Sequence, residues 1–250
     1  EQAAIFLSGT ASAALAILKP LLVGSLIDDY GYTAQQAGNV VGIEMVGVGI
    51  AALITVLAVE VLGRRPLLYI GTTIGLVGSL VPALTEAYSA IIVARFAAGF
   101  GCGIIGSVTL SVLGMTSQPD SMLGRYYTLS FLAGAAILPV GAWSLQHFSI
   151  AGGYGFLAAL LSVVYGTARF FPEAALKRGS VNEFRRPLSF TGLAWLALLA
   201  SLFFWIGLGS VWAFVERMGI NGGLGAARIS SALTAGPLAC MVGAAAAWYL

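Results

Sequence analysis

Charge is what this chain has least of: only 9% of its 250 residues are Asp, Glu, Lys or Arg, against about 25% in a typical globular domain. A water-facing surface needs more ionic groups than that. The chain also has a single histidine and two cysteines. Cys102 and Cys240 both lie inside apolar runs, which argues against a disulfide framework and leaves no metal-ligand spacing. With His147 alone there is neither a His/Cys/carboxylate cluster nor a Ser-His-Asp arrangement, so no enzymatic activity, metal or other cofactor is expected. The 12 basic and 10 acidic residues nearly cancel, and no nucleic-acid partner is expected. The chain does not begin with Met and opens on no cleavable signal segment, so it is expected to start part-way into a longer protein.

What is there is apolar: 59% of the residues are hydrophobic and the mean hydropathy is +0.94. A bilayer core about 30 Å thick needs roughly 20 mostly apolar helical residues to cross it. Eight segments qualify, at 3–27, 37–59, 67–84, 88–115, 122–145, 151–171, 188–215 and 229–250. None shows the alternation of a barrel strand, so the expected class is an all-α polytopic membrane protein of about eight transmembrane helices. Lys and Arg collect in cytoplasmic loops. Here Arg64, Arg65, Arg125, Arg169, Lys177, Arg178, Arg185 and Arg186 fall on one set of alternate loops, while the other set holds Arg217, with Arg228 at a boundary. That bias puts the N-terminus in the cytoplasm and Asp28, Asp29, Glu86 and His147 near the outer face. The longest connection separates six spans from two, giving a six-helix bundle over 1–172, a basic cytoplasmic loop over 173–187 and a helical pair over 188–250.

Small residues recur four apart at Gly38/Gly42, Gly71/Gly75 and Gly99/Gly103, a spacing that predicts close helix packing in lipid. The run from Gly101 to Gly106 matches the dinucleotide pattern G-x-G-x-x-G, but it lies inside an apolar span with no preceding strand and is rejected. Trp205, Trp212, Phe203, Phe204 and Phe214 crowd span seven, and Tyr126 and Tyr127 open span five. Most read as packing or interfacial anchors. Trp205 lies deeper and is a candidate cavity residue.

Three groups of residues resemble the major facilitator superfamily of secondary transporters. Glu60, Val61, Leu62, Gly63, Arg64, Arg65 and Pro66 occupy the second half of that family's loop motif after span two, with Val56 where its opening glycine would stand. Arg95 followed by Gly99, Gly101 and Gly103 is similar to its span-four pattern, with Ala98 replacing a polar residue. Phe171, Pro172 and Glu173 resemble its exit into the central loop. In span five Leu138 precedes Pro139 where an antiporter signature would end in Gly-Pro, so antiport gains no support, although Gly134 and Gly141 flank it. Met45, Val46 and Gly47 recur as Met241, Val242 and Gly243 at an offset of 196, in keeping with the parallel two-fold repeat of such transporters. The resemblance implies a complete first bundle and a truncated second one with four helices missing.

Ionisable groups inside a span cost about 2.5–3.5 kcal/mol on insertion scales, so each needs a reason. Lys19 lies nine residues before Asp28, Glu44 eight after Gln36, and Arg95 nine after Glu86. At about 1.5 Å per residue all three lie roughly 12–14 Å from one face, near the midplane, where transporters bind substrate and coupling ions. Lys19 and Arg95 are the expected contacts for an anionic group, and Glu44 the expected carrier of a coupling proton or partner of a cation. Pro20 is expected to kink span one beside Lys19. The resemblance implies a proton-coupling role for Arg95. It also implies a charge latch between the halves at Glu60, Gly63, Arg64 and Arg65. The two cations and one acid lean toward an organic anion. The expected function is therefore secondary active transport of a small solute with protons by alternating access, in the plasma or bacterial inner membrane. A seven- or eight-helix receptor or a channel is the alternative.

Overall fold

The computed structural model of the chain describes residues 1–173 and 192–249. Among the described residues eight α-helices follow one another: α1 Gln2–Ile17, α2 Lys19–Asp28, α3 Ala34–Leu62, α4 Arg64–Leu80, α5 Tyr88–Gly114, α6 Pro119–Thr167, α7 Gly192–Asn221 and α8 Ala226–Tyr249. No strand occurs among the described residues. The basic residues Lys177, Arg178, Arg185 and Arg186, and nearly all of the expected central loop, lie outside the described residues.

The helices and the crossings differ in number at two places. Span one is split into α1 and α2, bent by 41°. Leu18 at the break has φ −79 and ψ −4, and Pro20 sits in the first turn of α2, as its preset φ allows. In the other direction, α6 with the 3-10 turn after it runs for 52 residues, far more than the roughly 20 one crossing needs. Its helical geometry fails at Phe148 and Ser149, where Ser149 takes φ 51. Beyond that point Ser144 Oγ donates to the Gly152 carbonyl at 2.9 Å, which requires the chain to fold back on itself. Among the described residues six helices are long and apolar enough to cross a membrane, or seven with α1 and α2 taken as one span; the expected eight is reached by dividing α6 at Phe148 and Ser149.

Boundaries move by a few residues for identifiable reasons. Span two starts at Ala34, earlier than expected, because Thr33 and Gln36 form a capping box: Gln36 N donates to Thr33 Oγ1 at 3.2 Å and Thr33 N to Gln36 Oε1 at 2.9 Å. Span seven runs on past 215 to Asn221 and ends at Gly222 and Gly223, the latter with φ +75. Residues 29–33 are tied down at the same end of the bundle. Tyr30 Oη donates to the Pro82 carbonyl at 2.5 Å and Tyr32 Oη to that of Glu86 at 2.8 Å. Burial first, then Glu86 and Asp29, pushes the Tyr30 phenol above the ordinary tyrosine range, so it stays a donor.

The core is built around α5. A Cβ on Gly99 would run into the Glu44 carbonyl oxygen of α3, and one on Gly47 into the Phe96 carbonyl oxygen. On its other face α5 meets α4, where Gly101 packs against the backbone of Gly71 and Gly75. Close approach is thus the role of Gly71/Gly75 and Gly99/Gly103, and the dinucleotide-like run is a packing surface. The reading fails for Gly38/Gly42: nothing lies within 4 Å of a Cβ on Gly42, and Gly38 meets only the ring edge of Phe214 at 3.5 Å. Spacing alone cannot tell a helix interface from a face turned to lipid.

Helices α7 and α8 pack on different parts of the six-span unit. At the far end of α8, Trp248 Nε1 donates to Ser121 Oγ at 3.1 Å, and Arg125 lies over the Trp248 ring at 5.1 Å. Helix α7 lies along span one. Its Trp212 Nε1 donates to the Ala16 carbonyl at 3.0 Å, and Arg217 donates to the Gly24 carbonyl at 2.5 Å and pairs with Asp28.

Candidate functional site

Lys19, Glu44 and Arg95 come together between α2, α3 and α5. Each is placed by a local cause already visible in the helices. The break at Leu18 makes Lys19 the first residue of α2. The capping box fixes where α3 begins, and the glycine contacts bring its Glu44 carbonyl onto α5 beside Gly99, one turn after Arg95. Arg95 Nε donates to Glu44 Oε2 at 3.0 Å, and Arg95 Nη2 donates to the same oxygen. Lys19 Nζ lies 3.9 Å from Glu44 Oε1 and donates to Met45 Sδ at 3.2 Å.

A fourth residue joins them. The Arg95 guanidinium lies over the ring of Tyr154, 4.9 Å from its centroid, in the sixth span. All four are buried, with 6% of Lys19, 4% of Glu44, 1% of Arg95 and 1% of Tyr154 exposed. They line a small cavity together with aliphatic side chains that include Leu22 and Val40. Tyr154 carries no formal charge and lies only five residues beyond Ser149, so depth counting from span ends does not single it out.

Chemically the cluster is an incomplete ion-pair network. Taking an ion out of water costs several kcal/mol, recovered only with good geometry and satisfied hydrogen bonds. Arg95 and Glu44 meet that condition only in part, through two donors on one oxygen. Glu44 Oε1 and Arg95 Nη1 have no hydrogen-bond partner among the described residues. Lys19 has a thioether, a weak acceptor, as its hydrogen-bond partner. With Glu44 ionised, two cations face one carboxylate.

The second expected group lies at the junction of α3 and α4. Gly63 has φ +79 and links the two helices directly, a conformation that glycine adopts without strain. Arg64 is buried and donates to Met115 Sδ at 3.0 Å. Arg65 Nε donates to the Phe171 carbonyl at 2.8 Å, and its Nη1 lies 3.2 Å from Glu173 Oε2. These bonds run to the end of the sixth span, and Glu60 is exposed without an ion pair among the described residues. Trp205 lines no part of the cavity, because it is 67% exposed on the outer side of α7. Trp212 and Phe214 are the span-seven aromatics that reach spans one and two. No group of His, Cys, Asp and Glu among the described residues is arranged to hold a metal.

At least six helices long and apolar enough to cross a membrane, around a buried set of opposite charges, define an integral multi-pass membrane protein with a buried polar site. The chain belongs to the Major Facilitator Superfamily, whose family model matches residues 3–250. It is a membrane transporter of that family. No curated protein matches the sequence.

Proposed function

We propose that the protein is a secondary active transporter that takes a small organic anion across the membrane together with a proton, by alternating access, with Lys19, Glu44 and Arg95 as the binding and coupling residues. The observation that carries this reading is the cluster itself: two buried cations share one carboxylate, and one oxygen of that carboxylate and one nitrogen of Arg95 have no hydrogen-bond partner among the described residues. Protonation of Glu44 would leave Lys19 and Arg95 uncompensated and raise the affinity for an anion. Linkage then requires the bound anion to raise the affinity of Glu44 for its proton. Charge and proton bind cooperatively, which is the sign of symport. Glu60, Gly63, Arg64 and Arg65 are assigned to gating, with the Arg65–Glu173 pair tying the α3–α4 junction to the start of the connection toward the second half. The excess of basic residues at the Arg64 end favours a cytoplasmic location for that end and for the N-terminus, in a plasma or bacterial inner membrane.

The test is uptake of a panel of labelled carboxylates into energised vesicles. Concentrative uptake is expected to collapse on adding an uncoupler. Lys19→Ala is expected to lower uptake at least tenfold, the equivalent of losing about 1.4 kcal/mol of interaction, and Glu44→Gln to flatten its pH dependence. Both variants behaving like the parent protein would end this reading.

A further inference from the structure

In an α-helix the carbonyl of residue 16 accepts from the N–H of residue 20. Residue 20 is proline, which has no N–H, so the Ala16 carbonyl loses its intrahelical donor. That acceptor is instead filled from another helix: Trp212 Nε1 of α7 donates to it at 3.0 Å. We infer that Trp212 is a positioning residue that replaces the missing Pro20 N–H, so the bend that sets Lys19 and the seating of α7 on span one are a single coupled variable.

The surroundings of the break support this. Leu18 and Ile17 also meet Gly141 and Gly134 of span five, where no side chain stands in the way. The break is therefore met by two neighbours, span five through glycine-made space and α7 through a hydrogen-bond donor. Four residues after Trp212, on the same face of α7, Glu216 packs against Gly24 of α2, and Arg217 next to it bonds the Gly24 carbonyl. Helix α7 thus follows span one across the break, touching α1 through Trp212 and α2 through Glu216 and Arg217. An interhelical bond to a backbone acceptor survives only while the two helices stay in register. If α7 withdraws, the Ala16 carbonyl, on an exposed residue, loses this donor unless the break straightens or water replaces it.

A double-mutant cycle tests the substitution of one donor for another. Spin labels at Gln35→Cys and Asn221→Cys, both exposed positions, report the separation of α7 from the six-span unit in protein carrying Cys102→Ser and Cys240→Ser. Trp212→Phe keeps an aromatic ring but removes the N–H, and is expected to shift the distance distribution to longer values. Pro20→Ala restores the intrahelical donor, so Trp212→Phe added to Pro20→Ala is expected to produce no further shift. Where Trp212→Phe does not assemble, the benzothienyl analogue of tryptophan at 212, which keeps the bicyclic shape and lacks the N–H, makes the same measurement. An equal shift with and without the Pro20→Ala substitution, or no shift in either background, would overturn the inference. None of these outcomes depends on what the protein transports.

Discussion

Arg95 directs two donors to one oxygen of Glu44 and rests its plane on Tyr154, whereas Lys19 reaches the same carboxylate at 3.9 Å and makes its hydrogen bond elsewhere. The two cations are therefore unequal. Removing one partner of a buried ion pair costs about 3–5 kcal/mol, because the remaining charge is left uncompensated. Arg95→Ala is expected to lose stability on that scale, and Lys19→Ala clearly less. Tyr154→Phe keeps the ring face and should stay close to the parent protein. Thermal unfolding in detergent at matched lipid content ranks the three, and a larger loss for Lys19→Ala than for Arg95→Ala would contradict this division. At this scale much of the site is legible in sequence, since charge inside an apolar run is expensive and counting residues from span ends places Lys19, Glu44 and Arg95 at one level. Tyr154 escapes such counting because an aromatic inside a span carries no comparable penalty. Trp212 is half legible: Pro20 announces an orphaned acceptor at Ala16, but nothing local says which helix fills it.

Among the elements, α5 is the post against which α3 and α4 are set, and glycine makes both contacts possible. Gly99→Ala would place a methyl group against the Glu44 carbonyl, which is backbone and cannot rotate away. Overpacking of this kind typically costs about 1–3 kcal/mol. Gly42→Ala meets open space and is expected to leave stability within about 0.5 kcal/mol, as surface substitutions usually do. A melting temperature for each variant in the same detergent decides it, and similar losses for the two would mean that α3 and α5 do not meet at Gly99. Gly99 and Gly42 look alike in sequence because the i, i+4 spacing records an opportunity for approach and not a partner. The crossings themselves were readable from run length. The return of the chain at Ser149 was readable only as a gap, because its positive φ and the Ser144 to Gly152 bond depend on tertiary contact.

For the whole molecule, the contact between α7 and span one is the boundary across which large movement would act. Asp28 and Arg217 pair across it at one end. Replacing both by cysteine, in protein lacking Cys102 and Cys240, and oxidising them is expected to arrest uptake, and a thiol reductant to restore it. Full transport by the cross-linked protein would show that α7 and span one never separate during turnover. The residue that meets Ala16 is Trp212, 196 positions further on, the same offset that relates Met45, Val46 and Gly47 to Met241, Val242 and Gly243. A position touching its own counterpart is in keeping with a two-fold relation between repeats at that offset. The glycine contacts at Gly47 and Gly99 have a different consequence. They join α3 and α5 backbone to backbone, so Glu44 and Arg95 form a fixed dipole, while Lys19 sits on α2, beyond the break in span one. In such an arrangement a shift of α2 against α3 would move one cation alone and reset the field at the carboxylate while the carboxylate stays still.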